Sequence, residues 1–436
     1  MQTIDKVLRP GNLTEACKEV VRNKGAGGVD GMNVSELKSY LDNNREALVK
    51  IIHEGNYIPQ SIRGKGIPKK NGKIRVLGIP TVIDRMLQQA VSRVLMPEFE
   101  YMFSDYSYGF RPQRNTLQAV QKSLNYINSG YQHIVDIDLQ GFFDEVDHCL
   151  LLNLLYRKVK CRTTMQLIRR WLRAPIWING SLHKRRKGLP QGSPISPLLS
   201  NIMLHELDTE LERLGLRFVR YADDFSIYCK TKNEAQGIGN QVYLFLRDKL
   251  KLPINREKSG IRRPVNFSIL GYGFVPIYQK GIKGQYQLIV EKSRWKQLKT
   301  KLKEATRKTT PLSLDERIQK IKRIQRGWIN YFRLANIQSR LSELDGWLRN
   351  RLRYCIWHHW KKRERKRKNL IRLGVNPREA FRWSRSRLGG WAIAQSPILN
   401  TTITVDRLKR RGYEPTLAWY EKVAPNKFQP TLFPFV

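Results

Sequence analysis

The sequence predicts an α+β fold that continues into a helical, basic region, and three observations support this. Short alternating runs lie among stretches of helical periodicity from residue 1 to about residue 290. A purely helical pattern then extends from Glu291 to about Gly374. From Glu291 onward, basic residues outnumber acidic ones by 36 to 11, and eight of the ten tryptophans lie there. The aromatic content indicates a folded region and not a bare basic tail.

Composition excludes several classes of protein. The chain has 436 residues and a net charge of +43, but 41% hydrophobic residues are enough to form sizeable cores, so it is not a disordered polycation. No apolar run approaches the roughly 20 residues of a membrane span, and the first residues lack a signal-peptide core. We therefore expect a cytoplasmic protein. The five cysteines form no C-x-x-C pair, which argues against a zinc knuckle.

The first element with chemical potential is an acidic strand predicted from Ile134 to Leu139. Its apolar residues indicate burial, yet Asp136 and Asp138 interrupt them, and carboxylates in such a strand need partners. Asp136 points to the face opposite Ile137, so we interpret it as structural. Acidic residues also follow the strand, at positions 144 and 147, where they are typical of the first turn of a helix.

The second acidic element is a hairpin predicted from Phe218 to Cys229, with Asp223 and Asp224 at its tip. Alone, it would be interpreted as a solvated turn, because aspartate is a common turn residue. A second acidic strand favours a metal site, since Mg²⁺ prefers carboxylate oxygens, with Asp138 opposite Asp223. Two such ions can activate a 3′-hydroxyl and stabilise a leaving pyrophosphate, so the pattern predicts nucleotidyl transfer.

The helical region begins with a clear start signal. Ser313 and Glu316 form a predicted capping box, and apolar residues from Ile318 to Phe332 follow at a spacing of three to four. This periodicity predicts a small helical bundle. Beyond about residue 374, short mixed elements are separated by glycine and proline.

With these elements in order, the sequence resembles the group II intron reverse transcriptase/maturase family. The resemblance extends to about residue 420 and rests on the strand of Asp138 and seven further blocks: Asn23–Gly31, Ile67–Pro80, Phe103–Pro112, Gly188–Pro197, Tyr221–Asp224, Leu252–Lys258 and Leu270–Phe274. In addition, Arg326–Arg333 is similar to the thumb, or maturase, helices of the family.

The resemblance implies a right-hand polymerase with an antiparallel palm sheet, a helical thumb and a small basic C-terminal region. Fingers and palm would occupy residues 1–290, with residues 1–60 as an N-terminal extension. The thumb would occupy residues 291–374. Residues 375–436 would form an accessory region that binds DNA or RNA. Such a protein would copy RNA into DNA with two Mg²⁺ ions, for which Mn²⁺ could substitute. Its partners would be intron RNA or another RNA template, primer and target DNA, and dNTPs, as a monomer or a dimer.

Family roles carry over to matching positions. The catalytic residues would be Asp138, Asp223 and Asp224, and Leu139 would join these three in the metal site. The dNTP-binding residues would be Arg63, Lys69, Arg75, Phe142, Phe143, Gln191 and Lys258. Nucleic acid would be bound by Lys24, Arg111, Lys361, Lys362, Arg363 and Arg365.

Two of these residues, and the glycine next to a third, have a defined expected role. Phe143 would lie under the sugar of the nucleotide and exclude a 2′-hydroxyl, the alternative being a core aromatic. Gly192, beside Gln191, would allow close backbone approach. Lys258 would protonate the leaving pyrophosphate, the alternative being a surface charge.

The sequence departs from the longer family members in one respect, because it lacks the paired cysteines and histidines of their endonuclease domain. It is therefore expected to belong to the compact class. Three rival readings stay open: an RNA-folding maturase with a vestigial polymerase, a free-standing reverse transcriptase that serves DNA repair or CRISPR spacer acquisition, and a template-independent or RNA-making polymerase.

Overall fold

The computed structural model describes residues 2–68, 72, 74–278, 281 and 283–425, and it divides into two compact units, Met1–Arg263 and Pro264–Val436. The division lies before the boundary near residue 290 that the sequence suggested. Strands on the N-terminal side of residue 290 join the helices that follow, because the hydroxyl of Tyr331 donates to the carbonyl of Leu270 (3.0 Å) and the N–H of Asn336 donates to that of Leu288 (2.8 Å).

The first unit combines ten α-helices with eight strands in its described part. Its helices are α1 (Thr3–Leu8), α2 (Pro10–Asn23), α3 (Leu37–His53), α4 (Val82–Glu100), α5 (Thr116–Asn128), α6 (Phe142–Glu145), α7 (His148–Lys158), α8 (Arg162–Arg173), α9 (Ser196–Arg213) and α10 (Lys232–Asp248). Its strands are β1 (Ile62–Pro68), β2 (Ile74–Ile79), β3 (His133–Asp138), β4 (Ile176–Ile178), β5 (Ser181–His183), β6 (Arg217–Tyr221), β7 (Asp224–Cys229) and β8 (Gly260–Arg262).

The strands of this unit form two four-stranded sheets. One has the order β2-β1-β4-β5, in which β1 runs antiparallel to β2 and parallel to β4. The other, which we call the acidic sheet, has the order β6-β7-β3-β8 and is antiparallel throughout. The α+β class with an antiparallel palm-like sheet is thereby confirmed.

Helix α9 lies at the centre of the first unit and is buried along most of its length, including the polar residues Asn201 and Asp208. It joins an extensive apolar core with α4, α7 and the buried faces of β3 and β7. Burial of this apolar surface is the main stabilising contribution, at about 25 cal/mol per Å². The acidic sheet thus rests on a close-packed base.

The second unit is mainly helical. A small antiparallel sheet of β9 (Ser268–Ile269), β10 (Tyr272–Pro276) and β11 (Tyr286–Val290) precedes its helices. These helices are α11 (Lys292–Ala305), α12 (Leu314–Phe332), α13 (Gln338–His359), α14 (Arg363–Arg372), α15 (Pro377–Ser384), α16 (Gly390–Gln395), α17 (Pro397–Thr402), α18 (Val405–Arg410) and α19 (Thr416–Val423). The predicted capping box is confirmed, because Ser313 and Glu316 each bond to the other's backbone N–H at the start of α12. Among the described helices, none has the length and apolar character needed to cross a membrane.

Candidate active site

The acidic sheet brings the predicted carboxylates together. The hairpin is confirmed, with Asp223 in the turn between β6 and β7 and Asp224 as the first residue of β7. Asp224, and not Asp223 as the sequence suggested, is the cross-strand partner of Asp138 on β3. Directly opposite residues of an antiparallel pair share a face of the sheet, so Asp138 and Asp224 lie side by side next to the turn.

The turn at Asp223 has a strained backbone. Ala222, which precedes Asp223, has a φ of +57°, a left-handed conformation that is uncommon for a residue with a side chain. Gly109 packs directly against it, and a Cβ at position 109 would lie 2.2 Å from the Ala222 nitrogen. Only glycine leaves room for this approach. The loop before α5 therefore supports the turn from outside the sheet.

Arg220 supports the same turn through a hydrogen bond from its side chain. Its side chain is completely buried and pairs with the buried carboxylate of Asp208 on α9. Its guanidinium also donates to Asn201 Oδ1 and to the carbonyl of Ala222, each at 3.0 Å. The arginine thus links the central helix to the backbone that presents Asp223. A buried ion pair needs such additional hydrogen bonds to offset the cost of desolvating two charges.

The segment after α10 holds the end of β3. The N–H of Asp138 donates to Ser259 Oγ (3.0 Å), and the N–H of Asn255 donates to the carbonyl of Asp138 (2.8 Å). Lys258 Nζ lies 3.2 Å from Asp138 Oδ2. A cation therefore already faces Asp138 from a part of the chain more than a hundred residues away.

An open cavity of about 740 Å³ is lined by Asp138 and Asp223, but not by Asp224. The sequence-predicted residues that line it are Arg75, Asp138, Leu139, Phe142, Phe143, Gln191, Asp223 and Lys258. Asp144, interpreted from the sequence as a helix residue, also lines the cavity. Asp147 is confirmed as a helix start, because its carboxylate accepts the N–H of Leu150.

Phe143 has a fixed backbone and a half-buried ring. Its carbonyl accepts the N–H of Leu189, and its ring meets the buried ring of Phe142 edge-on at 5.4 Å. Two further lining residues are bonded to each other, because Arg75 Nε donates to Gln191 Oε1. The close approach predicted at Gly192 is confirmed, because a Cβ there would lie 2.8 Å from the Gly78 carbonyl oxygen.

The carboxylates are electrostatically coupled. Desolvation, followed by repulsion from Asp223 and Asp138, raises the pKa of Asp224 to about 6. Desolvation also raises the pKa of Asp223, while Arg75 opposes this increase. Asp136 also contributes to the repulsion at Asp224, but its own carboxylate is bound by Arg262 Nε at 2.7 Å. A cluster of carboxylates that repel one another favours the binding of a cation.

The donor set fits hard divalent ions only with help from substrate. Within the described residues, no three His, Cys, Asp or Glu side chains lie close enough together to enclose a metal ion. Mg²⁺ is commonly held by one or two carboxylates together with water and substrate phosphates, and not by an all-protein cage. Asp138 and Asp223, which line the cavity with Leu139, provide that type of partial site.

Several predicted residues lie elsewhere. Arg63 is on β1 and does not line the cavity, and Lys69 lies outside the described residues. The prediction that Arg111 binds nucleic acid is wrong for this structure, because its side chain is buried against Glu100 (2.8 Å) and the Ser107 carbonyl (2.8 Å). The remaining predicted nucleic-acid residues are all exposed, namely Lys24, Lys361, Lys362, Arg363 and Arg365.

Sequence comparisons agree with this geometry. Residues 67–274 match a family described as reverse transcriptase (RNA-dependent DNA polymerase), and residues 295–374 match the maturase-specific domain of group II introns. Protein YkfC of Escherichia coli (strain K12) is 31% identical over 65% of this chain and 84% of its own length. The chain belongs to the group II intron reverse transcriptase/maturase family.

Another member of the family is the group II intron-encoded protein LtrA of Lactococcus lactis subsp. cremoris, which is 32% identical over 61% of this chain. The chain spans 55% of the length of LtrA. A partial Cas6-RT-Cas1–Cas2 complex contains a chain that is 26% identical over 57% of this chain and 43% of its own, with a TM-score of 0.37.

Sequence reasoning missed the residues that hold the site in place. Arg220, Asp208 and Asn201 gave no separate signal, although two polar residues at a spacing of seven on one apolar helix could have indicated a buried polar contact. Gly109 and Ser259 were missed because their roles depend on contacts between distant parts of the chain.

Proposed function

We propose that this chain is an RNA-directed DNA polymerase that extends a primer with dNTPs on an RNA template. We also propose that it binds group II intron RNA and assists splicing and target-primed retrohoming, in the cytoplasm of a bacterium. One observation carries the polymerase proposal. Asp138 and Asp223 line one open cavity together with Arg75, Gln191 and Phe143. Acids, a cation and an aromatic ring around one cavity suit a metal-bound nucleoside triphosphate.

Reverse transcriptases use divalent metal ions, and we propose Mg²⁺ as the natural ion, two per site, with Mn²⁺ as a substitute. Asp138 and Asp223 would hold them with the main chain of Leu139, and Asp224 would contribute more weakly. When bound, the ions would activate the attacking 3′-hydroxyl and stabilise the leaving pyrophosphate.

The other cavity residues have separate proposed roles. Arg75 would neutralise charge on the triphosphate, where a fixed cation stabilises the transition state. Gln191 would orient the Arg75 guanidinium through their hydrogen bond. Phe143, with its backbone fixed by Leu189, would exclude a 2′-hydroxyl by contact. Lys258, now paired with Asp138, would supply a proton from Nζ to the leaving pyrophosphate.

We propose that residues 1–290 act as fingers and palm, residues 291–374 as thumb, and residues 375–436 as the accessory nucleic-acid-binding region. The exposed basic residues from Lys361 to Arg365 would bind phosphates of the RNA or of the primer and target DNA. Whether the chain works as a monomer or a dimer does not affect this assignment, because all cavity residues belong to one unit.

The experiment is primer extension with Mg²⁺ on annealed RNA and DNA templates, supplied with dNTPs or rNTPs, for wild type and Asp223→Ala/Asp224→Ala. We expect dNTP-dependent extension on RNA that the double variant lacks. A folded wild type that binds RNA and extends nothing would contradict the polymerase proposal and favour an RNA-folding maturase. Extension with rNTPs at an equal rate would favour the RNA-making alternative.

A further inference from the structure

The second unit contains a cavity of about 530 Å³ that is separate from the candidate active site. It lies among the start of α12, the ends of α13 and α14, and α18, and we call it the arginine cavity. Its volume falls within the roughly 300–1,000 Å³ typical of small-molecule sites. No role in the polymerase proposal uses it.

The floor of the arginine cavity is apolar. Cys355, Ile403 and Leu408 are buried there, and Ile356 and Leu373 are half-buried beside them. An apolar floor of this size suits a flat aromatic group that is out of contact with water.

The lining residues of the cavity are strongly cationic. Five of them are arginines, namely Arg317, Arg372, Arg407, Arg410 and Arg411. No aspartate or glutamate lines the cavity in the part of the chain that the structure describes. One of these charges is partly offset by an acid outside the lining, because Arg411 lies 3.7 Å from Asp315. Both side chains are mostly exposed. Five arginines around one cavity make its potential positive, and this favours a bound phosphate.

Arg317 places a fixed, buried charge at the wall of the cavity. Its side chain is fully buried, and its two terminal nitrogens donate to the carbonyls of Ala305 (2.7 Å), Arg307 (3.0 Å) and Thr310 (3.1 Å). Its Nε has no hydrogen-bond acceptor among the described residues. Because the side chain is inaccessible, Arg317 contributes a fixed positive charge at the wall of the cavity and not a donor to a bound group.

We infer that the arginine cavity binds one unpaired nucleotide of single-stranded RNA. The base enters over the apolar floor and stacks on Trp360, beside the fixed charge of Arg317. The adjoining phosphates lie against Arg372 and Arg410, which are exposed at the rim. A base that is still paired in a duplex cannot enter a cavity of this size, so the site selects bulged or looped nucleotides. The inference rests on the proposed RNA-binding function and specifies where an unpaired base is held.

The test uses a single-stranded 12-nucleotide RNA that carries one 4-thiouridine, with the full-length protein. The first measurement is the site of the photo-crosslink, located by peptide mass spectrometry. We expect the crosslink within residues 355–373 or 403–411. Crosslinks confined to other parts of the chain would overturn the inference, as would an equal crosslinking yield from the DNA oligonucleotide of the same sequence.

The second measurement is affinity at several salt concentrations for Arg372→Ala/Arg410→Ala and for the control Arg323→Ala/Arg340→Ala. All four arginines are exposed in the second unit, and both variants lose two charges, but only the first pair lines the cavity. We expect the cavity variant to bind about tenfold more weakly than the control, with a salt slope that is lower by roughly 1 to 2. Equal affinities for the two variants would overturn the inference.

A third pair of variants distinguishes the loss of base stacking from a loss of folding. Trp360→Ala should weaken binding about tenfold, and Trp360→Phe should restore most of it, because every base can stack on an aromatic ring.

Primer extension by the same wild-type preparation distinguishes a failure of the cavity inference from a failure of the proposed function. If the wild type extends primers but the cavity variants bind like their controls, the cavity inference alone is wrong. If the wild type neither extends primers nor binds RNA, the proposed function is wrong.

Discussion

Arg220 and Asp208 form an ion pair in which both side chains are completely buried, with 2.7 Å between Nε of the arginine and Oδ1 of the aspartate. The same guanidinium donates to the carbonyl of Ala222, immediately before Asp223. The pair therefore couples the packing of α9 to the position of a proposed metal ligand. Its stability effect and its effect on activity can be separated by substitution.

We predict that Arg220→Met lowers the free energy of unfolding by about 3–5 kcal/mol, because it leaves the Asp208 carboxylate buried without a partner. Urea unfolding monitored by circular dichroism measures this change. Arg220→Met/Asp208→Leu removes both charges and should recover most of the lost free energy. Its primer extension should stay about tenfold or more below wild type, since the Ala222 carbonyl has lost its donor. Full activity in the double variant would show that Arg220 has only a structural role.

The close contact between Gly109 and Ala222 should make activity sensitive to a side chain at position 109. Gly109→Ala places a Cβ 2.2 Å from the Ala222 nitrogen and must displace the turn that carries Asp223. We expect primer extension to fall by about 100-fold, since small displacements of catalytic groups are costly.

The matched control for this variant is Gly237→Ala in α10, where a Cβ meets no atom within 4 Å. It should retain activity and gain about 0.5–1 kcal/mol in the free energy of unfolding, because alanine favours the helix. Equal activities of the two glycine variants would mean that the turn tolerates displacement.

Phe143 should determine the choice of sugar. We predict that Phe143→Ala raises the rate of rNTP incorporation relative to dNTP by about tenfold or more, because the ring no longer occupies the space of a 2′-hydroxyl. The measurement is the ratio of kcat/KM values for dNTP and rNTP in single-nucleotide extension. Tyr101→Ala, which removes an aromatic ring that is 93% exposed, provides the control. An unchanged ratio in Phe143→Ala would assign the ring to the core alone.

His148 should make stability depend on pH. Desolvation lowers its pKa from the ordinary value of 6.5; the ring is buried, and Nε2 lies 2.8 Å from the Gly188 carbonyl oxygen. The folded state therefore keeps the ring neutral, while the unfolded state takes up a proton as the pH falls below about 6.5. Because the unfolded state then binds more protons, stability is present above pH 6.5 and decreases as the pH falls further.

His148→Gln should weaken this dependence, since glutamine can donate to the same carbonyl and does not titrate. We expect the wild type to lose its stability advantage over the variant between pH 7.5 and pH 5, as measured by urea unfolding at each pH. A constant difference over this range would show that His148 does not contribute to the pH dependence.

Local patterns predicted the elements of the site, and long-range contacts determined its geometry. Alternation with two acids was enough to identify β3 and the β6–β7 hairpin, because the side-chain period of a strand can be recognised from a few residues. It could not show that Asp138 faces Asp224, since register depends on the whole pair of strands.

Arg111 and Arg220 both show this limit of prediction from sequence. Arg111 was predicted to bind nucleic acid, but Glu100 at the end of α4 binds it inside the fold. Arg220 attracted no attention in the sequence, although it supports the turn at Asp223. A positive charge in a sequence does not reveal which carboxylate the fold will place beside it.

Asp138 and Asp223 are the proposed acids of the polymerase site. The most direct test is Mg²⁺-dependent extension of an annealed DNA primer on an RNA template by wild type, Asp138→Asn, Asp223→Asn and the control Asp136→Asn. Asp136 is on the same strand but is bound by Arg262 and does not line the cavity. We expect extension by wild type and by Asp136→Asn, and at least a 100-fold loss in the other two. Undiminished extension by Asp138→Asn or Asp223→Asn would contradict this assignment.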